Sequence, residues 1–176
     1  MAPVSMNQRY AATHDRITRD IANALSLTGK RLAGLSNAQY YFCGERDWAD
    51  AGDIEWTCIE APSVSMYLLS NGESVGADLL PLSVPASFEI EAGSMCTWEK
   101  EDLLVILSAV HLRGKRMTKV DRLVNTWPRT GRYLAGFRVT LETGDFIVFY
   151  NRGDEAAVLI NKLPDTVEGV QSDWVE

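Results

Sequence analysis

Tyr133-Leu134-Ala135-Gly136-Phe137-Arg138-Val139-Thr140-Leu141, then Glu142-Thr143-Gly144-Asp145, then Phe146-Ile147-Val148-Phe149-Tyr150 is the stretch whose reading decides the fold. Two apolar or alternating runs flank a short turn that contains glycine, which is the pattern of a β-hairpin. A third run, Ala156 to Ile160, follows a second turn at Asn151-Arg152-Gly153-Asp154. Residues 133–160 therefore read as a β-meander, and the acidic stretch 161–176 after it carries Val167, Val170, Trp174 and Val175 as residues to dock on the body.

Upstream, helical spacing competes with strand propensity. Thr97 can cap a helix whose first turn holds Glu99, Glu101 and Asp102 and whose end holds Arg113, Lys115 and Arg116, the charge order that complements a helix dipole. Leu103, Ile106, Leu107 and Val110 then form one stripe, with a buried strand over 103–107 as the alternative. Past Gly114, Met117, Val120, Leu123, Val124 and Trp127 share one side of a helical wheel, while Lys115, Lys119 and Arg122 share the other. These spacings predict one or two helices over about 97–127, ended by Trp127-Pro128.

Residues 34–96 read as an acidic region of loops and short strands: Ile54 to Ile59, Ser65 to Leu69 and Ser87 to Ile90, broken by Pro62, Asn71-Gly72, Pro81 and Pro85. Within it, 34–52 reads as a loop with a short strand or turn. At the other end, Tyr10, His14, Ile17, Ile21, Ala24 and Leu25 recur every three or four residues, predicting an amphipathic helix over about 7–28 that closes at Gly29. The expected fold is α+β in a single globular domain, 1–176: an N-terminal helix, an antiparallel sheet, and helices packed on it.

A chain of 176 residues with 46% hydrophobic and 23% charged content can bury a self-sufficient core. No basic flank leads into an apolar stretch at the start, so a secretory signal is not expected, and no run approaches the ~20 apolar residues that span a bilayer. Membrane insertion is therefore not expected. Cys43, Cys58 and Cys96 are odd in number without metal-type spacing, which favours a reducing, cytoplasmic setting. Phosphate-binding loops, dinucleotide fingerprints and nucleophile elbows are missing from the sequence, and nothing calls for a cofactor or a metal.

Charge is segregated along the chain: net +3 over 1–46, -11 over 47–102, +7 over 103–140 and -6 over 141–176. An overall -7 argues against whole-surface nucleic-acid binding, since phosphate repels such a surface. The basic residues Lys115, Lys119 and Arg122, with Arg113, Arg116, Arg129 and Arg132 nearby, can contact phosphate, but the reading preferred here is compensation by the chain's own acidic block. That segment holds Glu45, Asp47, Asp50, Asp53 and Glu55 beside Tyr40, Tyr41 and Trp48. Carboxylates steer an encounter with a basic surface and aromatics anchor it.

The expected function is a non-catalytic protein-binding protein of the immunity or inhibitor type, using that acidic, aromatic-bearing surface against a basic protein partner. A homodimer is compatible with the sequence. Two alternatives are carried: an acidic escort of the kind secretion chaperones represent, suggested only by element order, and a small hydrolase or transferase using the loop carboxylates or Cys43 with His14 or His111.

Overall fold

The computed structural model describes residues 11–176 as an α+β-like protein, mostly antiparallel sheet with one main helix. Helix α1 (His14–Leu25) begins at Thr13, whose side chain accepts the Arg16 N–H. Gly29, at φ +83°, lies just past its end in the left-handed region that costs glycine little. The portion of the expected helix at residues 7–10, with Tyr10, lies outside the described residues. The stripe is also rotated from the expected one: His14 is exposed, while Arg16 and Asp20 are buried and ion-paired at 3.1 Å.

The larger sheet contains β1 (Arg31–Phe42), β2 (Glu45–Arg46), β3 (Ile54–Ile59), β4 (Ala61–Leu68), β5 (Val75–Asp78), β6 (Phe88–Glu89) and β7 (Met95–Asp102). Its order is β5-β4-β3-β1-β7-β6, with β2 folded back on β1. Cys43 and Gly44 form the two-residue β1–β2 turn, both at positive φ (49° and 81°), as a hairpin of primed type requires. Helix α1 blunts the β5 edge, where Asn23 Nδ2 donates to the Ala77 carbonyl at 2.8 Å. Arg16 reaches Asp78 on the same strand at 3.5 Å.

The smaller sheet contains β8 (Met117–Trp127), β9 (Gly131–Leu141), β10 (Phe146–Asn151), β11 (Ala156–Ile160) and β12 (Gln171–Val175), in the order β11-β10-β9-β8-β12. The two sheets share one core, in which Leu35, Trp56 and Met66 of the larger meet Phe137, Val139 and Phe149 of the smaller. A second cluster, Leu123, Ala135, Val148, Tyr150 and Ala157, gathers with Trp174.

Three sequence expectations are corrected. First, 34–42 is not loop: it belongs to β1, which runs twelve residues through the middle of the larger sheet and carries the buried Asn37 and Gln39, whose side-chain amides donate to the Ala51 and Asp47 carbonyls, while 47–53 is the loop that follows β2. Second, Thr97 lies within β7, and Asp102 is the residue that caps a helix, the single turn α2 (Leu103–Ile106), by accepting the Leu104 N–H at 3.0 Å.

Third, 117–127 is a strand, so Lys115, Lys119 and Arg122 share no helical face. Thr118, Val120, Val124 and Thr126 are β-branched and suit a pleated surface. A bulge between Met117 and Lys119 puts Met117 and Val120, three apart, on the same core-facing side. The next apolar residue, Leu123, falls in the second cluster instead. Bulged strand pairing thus imitates helical spacing.

Candidate functional site

Strand alternation divides the expected binding residues between two faces of the larger sheet. Tyr40 stands directly opposite Trp98 with ring centroids 5.1 Å apart, and Phe88 extends the row at 5.7 Å from Trp98. The Tyr40 hydroxyl lies 3.2 Å from Cys96 Sγ, and this bond raises its pKa. Around this row Phe42, Phe88, Ile90 and Met95 are exposed, Ile90 to 65%. Contiguous exposed apolar surface is what interaction sites display, whereas single exposed apolar residues are routine.

Tyr41 points the other way. Its hydroxyl donates to the Glu101 carboxylate, which also pairs with Arg46 at 3.0 Å; the bond to Glu101 raises the tyrosine pKa. The Arg46 guanidinium lies over the Trp48 ring at 4.0 Å, and Trp48 is 77% exposed. Arg46 and Trp48 form one end of a cleft of about 240 Å³ that continues along Leu103, Ile106 and Leu107 on one side and Ala156 to Leu159 of β11 on the other.

The carboxylates of the acidic block do different jobs. Asp47 Oδ1 accepts the Ala49 N–H at 2.9 Å, and Asp50 Oδ1 accepts the N–H groups of Gly52 and Ala156, each at 2.9 Å. Asp50 thereby ties the 47–53 loop to β11. The Asp53 carbonyl accepts the Ala38 N–H, and its side chain is half-buried. Glu55 is buried, so it is removed from any contact surface: Lys100 Nζ at 2.9 Å and the Leu82 N–H at 3.2 Å both donate to Oε2. Burial opposes its charged form, but hydrogen bonds from Lys100, Ser63 and Leu82 outweigh that cost and hold the pKa below the usual glutamate value.

Other carboxylates gather at this end of the sheet: by register Glu45, opposite Phe42, shares the face of the aromatic row, while Glu89, opposite Met95, and Glu99, opposite Gln39, lie on the other face. Glu45, Glu89, Glu91 and Glu99 are exposed, and among the described residues no cation pairs with them. Sequence could show that 47–102 is acidic, but not that its unpaired charge collects where β6 and β7 meet, since that depends on register. Trp98, between Cys96 and Lys100, carries only the period-two pattern as a signal.

The basic residues are largely engaged within the chain. Lys119 pairs with Asp121 at 3.1 Å and with Glu176 at 2.5 Å, contacts that raise its pKa, the Glu176 bond foremost. Arg122 donates to the Glu176 main chain, Arg113 pairs with Asp102, and Arg116 donates to the Gly29 carbonyl at 2.8 Å.

Cys43 and the two histidines lie apart. Cys43 is in the β1–β2 turn, His14 opens α1, and His111 lies 4.0 Å from Asp145 on the smaller sheet. Cys58 is buried, which pushes its thiol pKa up. No group of three or more metal-ligating side chains gathers among the described residues, and no described helix is long and apolar enough to cross a membrane. Compared with protein-family models, with curated proteins and with solved structures, the chain matches none of them.

Proposed function

We propose that this protein acts by binding another protein rather than by catalysis, neutralising or escorting a partner whose contact surface is basic. The observation that carries the reading is the aromatic row Tyr40, Trp98 and Phe88, of which Phe88 is exposed and the other two half-buried, at an end of the larger sheet whose carboxylates Glu45, Glu89, Glu91 and Glu99 pair with no cation among the described residues. Aromatic anchors with a charged rim give affinity at the centre and a fast, salt-sensitive encounter at the edge. The reading keeps Tyr40 from the expected set, adds Trp98 and Phe88, and gives Glu55 and Asp50 structural work. The hydrolase reading gains no comparable support: no histidine or cysteine lines the cleft, and the loop carboxylate that does, Asp50, accepts the Gly52 and Ala156 N–H groups.

The test is affinity capture with the wild-type protein and a Phe88→Ser, Trp98→Ala variant at low and high salt, with mass spectrometry of the retained proteins. A basic protein retained by the wild type, released by salt and lost on the variant, supports the reading. Equal retention by both proteins would refute it.

A further inference from the structure

Among the described residues, strand β7 is covered on its outer side only at its beginning, where Phe88 pairs with Cys96 and Glu89 with Met95. The pairing stops there because β6 is two residues long, with Pro85 close before it. The Cys43 N–H, just past the end of β1, donates to the Met95 carbonyl of β7, so the odd-numbered residues of β7 bond inward to β1. By the alternation of an antiparallel strand, Trp98 and Lys100 turn their N–H and C=O groups outward. Among the described residues nothing meets those four groups.

Such an edge is a template for another strand, and proteins usually blunt it. At the opposite edge α1 does so, with Asn23 on the Ala77 carbonyl. Here the edge is left open beside the aromatic row and beside Glu99, exposed and without a cation.

We infer that the outer edge of β7 at Trp98 and Lys100 receives an extended basic segment of a partner protein, which adds as a strand in line with β6. The inference rests on the protein-binding reading above and specifies its mode. Main-chain hydrogen bonds to Trp98 and Lys100 supply affinity without sequence demand. Alternate side chains of the added strand meet the two faces of the sheet. Apolar ones lie over Trp98 and Phe88, and basic ones lie on the face of Glu99 and Glu101. Charge complementarity selects the occupant: Glu89, Glu91 and Glu99 repel an acidic strand and attract a cationic one.

The test uses a capped six-residue peptide alternating valine and lysine, titrated into the full chain, with amide exchange read by NMR. Binding that protects the Trp98 and Lys100 amides supports the inference. Lys100→Pro and Lys100→Ala both remove the ammonium, but only proline removes the outward donor, which edge strands tolerate. Lys100→Pro should bind the peptide about tenfold more weakly than Lys100→Ala, and Glu99→Lys should weaken it by a similar factor. Equal binding by the proline and alanine variants, or protection elsewhere without protection of these two amides, would overturn the strand mode. If Glu99→Lys and Trp98→Ala weaken capture of the whole partner while Lys100→Pro matches Lys100→Ala, the protein-binding reading stands and the strand mode falls. If none of these changes alters capture, both fall.

Discussion

The Glu55 carboxylate lies 2.9 Å from the Lys100 ammonium, joining β3 to β7 across the outer face of the central strand β1. Glu55 is buried and Lys100 about half exposed, so the pair is bridged to solvent at one end only. The loop after β5 closes over it through the Leu82 N–H.

Stability should therefore depend on acid in a way that Glu55→Gln removes. A carboxyl whose folded pKa is lowered contributes stability that is present above its ordinary pKa and lost as pH falls through the lowered value. Glu55→Gln should cost about 1–3 kcal/mol at pH 7, and the difference from wild type should shrink as pH falls below the ordinary glutamate range and through the lowered pKa. Urea unfolding at a series of pH values measures both, and a constant difference across the range would contradict the assignment.

Gly136 should tolerate no side chain. A Cβ there would lie 2.5 Å from the Phe149 carbonyl oxygen and 2.6 Å from Tyr150 Cβ, contacts across the β9–β10 pair that cannot swing away. Gly136→Ala should destabilise by about 2–3 kcal/mol, from overpacking in a filled core. A thermal melt within a degree of wild type would show that the two strands can separate at no cost.

Gln39 should govern the cleft without touching a partner. Its buried side-chain amide donates to the Asp47 carbonyl at 2.6 Å and accepts from Asn37 at 3.1 Å, while Asn37 also donates to the Ala51 carbonyl. Gln39→Leu should leave the Asp47 carbonyl unpaired and cost about 1–3 kcal/mol. Faster amide exchange confined to residues 47–53, with β1 itself protected, is the expected signature.

Cys43 should be the thiol that labels in the native protein, because it is exposed whereas Cys58 and Cys96 are buried. Cys43→Asn should remove the fast-labelling thiol. It should also raise stability by about 0.5–1 kcal/mol, since asparagine accepts the left-handed backbone of this turn more readily than cysteine. Rapid modification of a second thiol would mean that the sheet opens.

The α+β class was legible because propensity and pattern agreed locally: the hairpin at 133–150, the runs at 54–59 and 65–69, and the capped amphipathic segment at 14–25. The region 97–127 was misread because two mechanisms produce apolar residues three or four apart, and sequence shows only the spacing. A helix does it by winding. β8 does it by bulges whose cost is met by pairing with β9 and β12, strands that lie elsewhere in the chain.

The sequence by itself determined the local turns, the acidic character of 47–102 and the supply of aromatics near it. Which of those groups face outward was decided by tertiary structure alone. Tyr40 and Tyr41 are neighbours in sequence, yet alternation sends one to Trp98 and the other to Glu101. Glu55 and Glu99 are chemically alike, but register places one against Lys100 under a loop and leaves the other unpaired at a strand edge. A one-residue shift would exchange faces throughout a strand, and only long-range packing fixes that choice.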